Sequence, residues 1–202
     1  YHPESGRKTY EGQLHKGKRH GHGKSYFDNG QVLYEGKWKK GWRDGHGTEY
    51  HPETGNRAYE GQWQKGWPHG HGKVYHPKSG HKTYRGKFHK GLKHGHGKSY
   101  FDNGQPFYEG EWKEGQPDNG TEYHPETGNR AYEGQYRKAK PHGHGKSYFD
   151  NGQLRYEGEW KEGKPDGSGT WYHPKSRHKS YEGKFNKGLT HGHARSYFDN
   201  GQ

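Results

Sequence analysis

Histidine gives this chain its largest capacity for chemistry, with 20 of 202 residues. Many of these histidines recur in His-Gly-His tripeptides such as His20-Gly21-His22. In an extended strand the two imidazoles of such a tripeptide share one face about 6–7 Å apart, a spacing that suits chelation of Zn, Cu or Ni. A stable site needs further ligands, and the neighbouring repeats are expected about 10 Å away. We therefore predict no metal site, and no cofactor.

The positive charge of the chain favours acidic partners. The formal net charge is +12 with histidine neutral, which attracts acidic proteins and anionic lipid. Nucleic acid is disfavoured as a partner, because the aromatic side chains that could stack on bases are expected to be used in the core. Cysteine is absent from the sequence, which excludes disulfides and thiolate metal sites. No stretch approaches the run of about 20 apolar residues that a membrane helix requires.

Glycine recurs with a period of about 24 residues, the mark of a repeat architecture. All 37 glycines fall at five positions of this repeat. The mean hydropathy of −1.81 is typical of disordered chains. However, the sequence also holds 7 Trp, 18 Tyr and 7 Phe, and most of them keep the same position in every repeat. Aromatic residues bury large areas, so the pattern predicts an ordered array with a thin aromatic core.

Each repeat is predicted to form a β-hairpin. In 59–64 the residues alternate, so that Tyr59, Gly61 and Trp63 share one face of a strand. A turn is expected over 65–70, where turn-forming residues are dense, and a second strand over 70–75. The tyrosine, glycine and tryptophan of this motif are the predicted core, at Tyr34, Gly36, Trp38, Tyr59, Gly61, Trp63, Tyr108, Gly110, Trp112, Tyr156, Gly158 and Trp160.

Two interchangeable connections join the repeats, His-Pro-x-x-Gly as in 51–55 and Phe-Asp-Asn-Gly as in 27–30. Both are turn sequences. The predicted fold is therefore all-β, an elongated single-layer meander of about eight stacked hairpins that forms an open-ended, solenoid-like ribbon. Asp118 lies where the fifth repeat lacks one residue, and a bulge or shortened turn is expected there. The single array over 1–202 divides into a partial unit 1–9 and units of approximately 10–33, 34–58, 59–83, 84–107, 108–131, 132–155, 156–180 and 181–202.

The motif resembles the MORN repeat, whose hallmark is Tyr-Glu-Gly-x-Trp, a later Gly, then Gly-x-Gly and a closing aromatic residue. The segment 34–50 follows this order, with Tyr34-Glu35-Gly36-Lys37-Trp38, Gly41, Gly45-His46-Gly47 and Tyr50. The segments 108–112 and 156–160 repeat the hallmark, and 151–158 also resembles the variant MORN repeats of bacterial proteins. The resemblance implies a ribbon of stacked hairpins. Its functional implications are broad, because scaffolds, dimerising rods, membrane-associated organisers and enzyme appendages all carry the repeat.

The orientation of the second strand has two alternatives. If Gly21 and Gly23 face the aromatic core, then His22, Lys24 and Tyr26 share an exposed face. If a bulge intervenes, the closing tyrosines join the core. The first alternative makes this histidine–lysine–tyrosine face the candidate partner-binding surface, comprising His22, Lys24, Tyr26, His71, Lys73, Tyr75, His96, Lys98, Tyr100, His144, Lys146 and Tyr148.

The favoured function is a non-enzymatic scaffold that binds protein partners or itself, as a homo-oligomer or filament. No nucleophile motif, phosphate loop or isolated carboxylate pair is present in the sequence. The alternatives are peripheral binding to anionic membrane lipids through a basic face, and a histidine-rich module that responds to metal or pH. The segments 1–3 and 198–201 have ordinary repeat sequences. They lead us to expect that the array continues beyond this stretch or that its ends pair between chains.

Overall fold

The structure, a computed structural model, describes residues 6–200. Within that range the chain forms sixteen antiparallel β-strands and no helix. Strands that are adjacent in sequence pair as hairpins joined by short turns, which confirms the predicted all-β meander of eight hairpin repeats. The end segments that prompted the expectation about continuation, 1–3 and 198–201, lie wholly or partly outside the described residues.

The chain divides into two compact units, Tyr1–Gly104 and Gln105–Gln202, called here unit 1 and unit 2. Each contains four hairpins. The strands of unit 1 are β1 Tyr10–His15, β2 Lys18–Tyr26, β3 Val32–Lys39, β4 Trp42–Tyr50, β5 Arg57–Gln64, β6 Trp67–Tyr75, β7 Lys82–His89 and β8 Leu92–Tyr100. Those of unit 2 are β9 Pro106–Lys113, β10 Gln116–Tyr123, β11 Arg130–Arg137, β12 Lys140–Tyr148, β13 Leu154–Lys161, β14 Lys164–Tyr172, β15 Lys179–Asn186 and β16 Leu189–Ser196.

The turn inside each hairpin is shorter than the sequence predicts. The expected turn over 65–70 is wrong, because β6 begins at Trp67 and only Lys65 and Gly66 connect the strands. Both residues have positive φ, 48° and 87°, as a two-residue type I′ turn requires. The backbone N–H of Gly66 donates to the Arg43 carbonyl at 2.9 Å. The tip of one hairpin is thereby attached to the preceding hairpin.

The extra turn-forming residues belong to a bulge inside the second strand. Gly61 pairs with Gly72, and Trp63 pairs with Pro68. Between these two pairs β5 has only Gln62, whereas β6 has the three residues 69–71, so the extra residues of β6 form the bulge. Gly70 has a φ of +68°, and a Cβ atom there would overlap the Gln62 side chain. The Gln62 side-chain oxygen accepts a hydrogen bond from the backbone of His71 at 3.0 Å. The first glycine of Gly-x-Gly therefore supplies a left-handed bulge residue rather than a turn.

The tyrosine and tryptophan rings of the motif lie on one side of each sheet, called here the ring face. Tyr34 is fully buried, and its ring meets that of Trp38 edge-to-face with centroids 5.1 Å apart. The Tyr34 hydroxyl donates to the Lys37 carbonyl at 3.0 Å. Gly47, on the paired strand, lies beneath this ring, where a Cβ atom would overlap the phenol carbons. Rings packed on bare backbone thus form the core with few aliphatic side chains.

Within each unit, the tyrosine ring of one hairpin also contacts the hairpin that follows it. The Tyr34 ring meets Trp63 at 5.3 Å, and the Trp63 indole N–H donates to the Gly47 carbonyl at 3.2 Å. The core of one hairpin is therefore completed by an aromatic residue of the next. Among the predicted core residues, the buried ones are Tyr34, Gly36, Trp38, Tyr59, Trp63, Tyr108, Gly110, Trp112 and Tyr156, and the half-buried ones are Gly61, Gly158 and Trp160.

The fifth repeat has the shortened bulge that its sequence predicts. Pro117 pairs with Trp112 and Asn119 with Glu111, so the register shifts by one residue fewer than in the other hairpins of the two units. The left-handed glycine of the bulge is missing here, and Asp118 occupies its place. Gly120 still pairs with Gly110 beneath the Tyr108 ring. The ring face is thus preserved although the strand is one residue shorter.

Glu122 is a carboxyl group on the ring face of unit 2. It pairs with Tyr108 and Tyr132, and it accepts a hydrogen bond from the Tyr136 hydroxyl at 3.1 Å. Burial raises the pKa of Glu122 above its ordinary value, although Tyr136 and His124 act in the opposite direction. A carboxyl group with a raised pKa stabilises the fold below its unfolded-state pKa. That contribution is lost as the pH rises through the folded-state pKa.

We therefore expect Glu122→Gln to raise the free energy of unfolding by on the order of 1 kcal/mol near neutral pH, because the amide removes a half-buried charge. The gain should shrink toward acidic pH, where Glu122 itself is protonated. Urea denaturation at several pH values measures both effects. Glu49→Gln is the matched control, because Glu49 occupies the equivalent position but pairs with Arg43 at 2.6 Å, so its loss should destabilise the fold at neutral pH. A gain that is equal at every pH would contradict the prediction.

Candidate interaction surface

The side of each sheet opposite the rings is called here the polar face. Because paired residues of antiparallel strands point to the same side, the register defines a row of side chains that crosses every strand of a unit. This row is called the charged ladder. In unit 1 it runs Glu11, Lys24, Glu35, Thr48, Glu60, Lys73, Arg85, Lys98. In unit 2 it runs Glu109, Thr121, Glu133, Lys146, Glu157, Thr170, Glu182, Arg195.

Neighbours on the charged ladder mostly carry opposite charges or alternate with threonine. Lys24 pairs with Glu35 at 3.0 Å, and Lys146 pairs with Glu157 at 2.9 Å. The Glu35 carboxylate raises the pKa of Lys24 through a hydrogen bond and through its charge. Opposite charges placed directly across from each other stabilise antiparallel pairs. The ladder therefore holds its charged groups in fixed positions at the surface.

The closing tyrosines of several hairpins donate hydrogen bonds to glutamates of the charged ladder. Tyr75 is buried, and its hydroxyl donates to Glu60 at 2.7 Å. Arg57 pairs with Glu60 at 2.9 Å and covers the Tyr75 ring at 4.6 Å. Burial and the Glu60 carboxylate raise the pKa of Tyr75 to about 12. The Tyr75 hydroxyl, followed by Lys73 and Arg57, holds the pKa of Glu60 below its ordinary value.

The same three-residue arrangement recurs in unit 2. Tyr148 donates to Glu133 at 2.9 Å, and Arg130 pairs with Glu133 at 3.0 Å while lying 4.7 Å from the Tyr148 ring. We call this the tyrosine–glutamate–arginine clamp. Sequence reasoning missed its arginine, which lies two residues before the motif tyrosine. The signal was available in the recurrence of Arg or Lys at that position, although the contact depends on the cross-strand register.

Hairpin, buried ring and bulge recur in this order along both units. Eight segments match the family model of the MORN repeat, at residues 10–32, 34–53, 59–80, 84–105, 108–118, 132–154, 156–176 and 181–202. The chain belongs to the MORN repeat family. No curated protein matches the chain at a significant level. MORN repeat proteins are in general interaction scaffolds rather than enzymes.

The second strand of the MORN repeats combines the two alternatives that the sequence left open, because a bulge places the first glycine, as at Gly70, against Gln62, while the second glycine faces the rings. Gly72 lies beneath the Tyr59 ring, so His71 and Lys73 point to the polar face. Of the twelve residues of the candidate partner-binding surface, the exposed ones are His22, His71, His96 and His144. The half-buried ones are Lys24, Tyr26, Lys73, Lys98, Tyr100 and Lys146, and the buried ones are Tyr75 and Tyr148.

The other histidines of the MORN repeats have mainly structural contacts. The ring Nε2 of His51 lies 3.4 Å from the Tyr75 carbonyl of the next repeat, and His124 has the same relation to Tyr148 at 3.3 Å. The rings of His69 and His89 are 5.2 Å apart. Within residues 6–200, no three His, Asp or Glu side chains come together as a metal-binding group.

An apolar edge of unit 1 was also missed by sequence reasoning. The residue that follows the hairpin turn is large and apolar in three consecutive MORN repeats, at Trp42, Trp67 and Leu92, which are 61%, 61% and 51% exposed. The Trp42 ring lies against Gly66 of the next turn, and Trp67 lies against Gly91. We call these three residues the turn edge. No helix in the described range is long and apolar enough to cross a membrane.

Proposed function

We propose that this chain is a non-enzymatic MORN repeat scaffold that binds protein partners, or a second copy of itself, through its polar face. The observation that carries the proposal is the charged ladder. It repeats charges at regular intervals across the polar face of each unit, and such a surface suits recognition of an extended partner more than action on a small substrate.

The clamps support this proposal because they restrict the side chains before a partner arrives. Glu60 is held by Tyr75 and Arg57, and Glu133 is held by Tyr148 and Arg130. Side chains that are already ordered lose less conformational entropy on binding. The exposed histidines beside the ladder add donors and acceptors, while the buried tyrosines act as supports.

The recurrence of these side chains argues against catalysis. A catalytic group is usually distinguished from its neighbours by its surroundings, whereas the chemistry-bearing residues here repeat with similar partners in several hairpins. Glu11, Glu60, Glu133 and Glu182, for example, all accept a hydrogen bond from a closing tyrosine. Their common role is to hold the polar face together.

Two lysine variants of the intact chain test the proposal. The polar-face variant changes Lys24, Lys73, Lys98 and Lys146 to Gln. The turn variant changes Lys16, Lys40, Lys65 and Lys90 to Gln, which removes the same charge from the hairpin turns. We expect the polar-face variant to lose about tenfold in affinity for a captured partner or in self-association, and the turn variant to keep both. Quantitative pull-down and sedimentation velocity measure these effects, and equal behaviour of the two variants would contradict the proposal.

The turn edge favours peripheral membrane binding as a second candidate. Trp42 and Trp67 each lie two residues after a lysine of the hairpin turn, Lys40 and Lys65. Tryptophan and lysine are often found together at membrane interfaces. The same two variants separate the candidates. If vesicles containing phosphatidylserine float with the wild type and the polar-face variant but not with the turn variant, the membrane reading is supported. Flotation of none of the three proteins would reject it.

A further inference from the structure

The charged ladder of unit 1 is interrupted at one position. Arg85 stands where the other repeats place a glutamate, as at Glu35 and Glu60. Its direct cross-strand neighbours are Lys73 on β6 and Lys98 on β8. Like charges directly opposite each other destabilise a strand pair. Arg85 on β7 thus breaks the alternation of charge along the ladder, and it places three cations side by side.

A second row of basic residues lies next to these three cations. Lys87 follows Arg85 by two residues on β7, so both point to the polar face, and His71 is the cross-strand partner of Lys87. Arg85, Lys87 and His71 are all exposed. In the described range, the side chain of Arg85 has neither an ion pair nor a hydrogen bond. A guanidinium group that offers its planar set of donors to solvent suits a carboxylate or a phosphate.

We infer that this basic patch, formed by His71, Lys73, Arg85, Lys87 and Lys98, is a docking site for an extended acidic peptide. The inference rests on the proposed function, because it specifies one class of protein partner for the polar face. Alternate side chains of an extended peptide are about 6.8 Å apart. Arg85 and Lys87 have the same spacing along β7, so a peptide that lies along this strand brings alternate carboxylates over the two residues.

The surroundings of the patch favour a narrow ligand over a membrane. The carboxylates of Glu11, Glu35 and Glu60 lie on the same face of unit 1, and an anionic bilayer that covered this face would approach all of them. A peptide strand is only about 5 Å from its neighbour in a sheet. One that lies along β7 over Arg85 and Lys87 therefore stays two strands, about 10 Å, from Glu60, whose carboxylate is paired with Lys73 at 3.3 Å.

Single-stranded nucleic acid is disfavoured because the nearby rings are covered. Bases stack on exposed aromatic faces. The Tyr75 ring is covered by Arg57, and Lys82 lies 4.4 Å from the centroid of the Tyr100 ring. The patch therefore offers charges and hydrogen-bond donors to a ligand but no open ring.

The variant Arg85→Glu tests the inference without threatening the fold, because it restores the glutamate found at this position in the other repeats. The control Lys40→Glu changes the charge by the same amount at a hairpin turn, where Glu114 and Glu162 show that glutamate is tolerated. The probe is a labelled peptide of alternating glutamate and threonine, compared by fluorescence anisotropy with a glutamine–threonine peptide. We expect the wild type to bind only the acidic peptide, Arg85→Glu to bind it about tenfold more weakly, and Lys40→Glu to stay within about twofold.

Equal weakening by both variants would overturn the inference, because net charge alone would then explain the binding. Binding of phosphatidylserine vesicles that depends on Arg85, with no binding of the peptide, would also overturn it in favour of lipid. The proposed function is tested independently of the peptide inference. If the polar-face lysine variant captures partners as well as the turn variant does, the scaffold proposal is contradicted, even if the acidic peptide binds in a manner that depends on Arg85. If capture depends on the polar face but the acidic peptide does not bind, only this inference is lost.

Discussion

Gly47→Val is expected to destabilise unit 1 by about 3 kcal/mol or more, the upper range for overpacking a close-packed core. A Cβ atom at Gly47 would overlap the phenol ring of Tyr34. That ring cannot move aside easily, because its hydroxyl is bonded to the Lys37 carbonyl and its edges meet Trp38 and Trp63. Denaturant unfolding followed by tryptophan fluorescence measures the loss.

Thr48→Val is the matched control for this prediction. Thr48 is the next residue on β4, but it belongs to the charged ladder on the opposite face. A branched side chain there should change the free energy of unfolding by less than about 0.5 kcal/mol, as is usual for surface positions. If Gly47→Val proved as mild as Thr48→Val, the claim that rings rest directly on glycine backbone would be wrong.

Tyr34→Ala is the substitution with the second large expected effect. Tyr34 has no exposed surface, and it meets Trp38 at 5.1 Å and Trp63 at 5.3 Å. Removal of a buried aromatic ring typically costs about 3–5 kcal/mol. The cavity would open beneath two tryptophans, so we also expect their fluorescence emission to shift to longer wavelength before global unfolding.

Tyr34→Phe separates the ring from its hydroxyl group. It keeps the packing and removes only the hydrogen bond to Lys37, so it should cost about 1 kcal/mol. Tyr10→Ala provides a second comparison, because Tyr10 is only half-buried and should lose less than Tyr34. Equal losses for Tyr10→Ala and Tyr34→Ala would contradict the picture of a core that depends on burial between hairpins.

The hairpins could be predicted from the sequence because their signal is local. Alternation in Tyr59-Glu60-Gly61-Gln62-Trp63 assigns each residue to a face without knowledge of any partner strand. The turn was misjudged for a different reason. Gly66 and Gly70 both have positive φ, but one belongs to a turn and the other to a bulge, and only the pairing of Trp63 with Pro68 distinguishes them.

The candidate surface could be predicted only in part, because its contacts depend on register between strands. The sequence shows that His71, Lys73 and Tyr75 alternate with glycine, and this places them together. It does not show that Arg57 covers Tyr75 or that Lys73 pairs with Glu60, since these contacts join residues 18 and 13 positions apart on different strands. The exception at Arg85 also becomes meaningful only when Lys73 and Lys98 are known to flank it.

Within each unit, the contact between a tyrosine ring and the aromatic residue of the following hairpin gives the row of hairpins a direction. Tyr34 is covered by Trp63, and Tyr132 by Trp160, so a newly synthesised hairpin leaves the ribosome with its tyrosine still open to water. It is closed when the next repeat has emerged. For Tyr34 and Tyr132, the hairpin made next therefore covers the ring of the hairpin made before it.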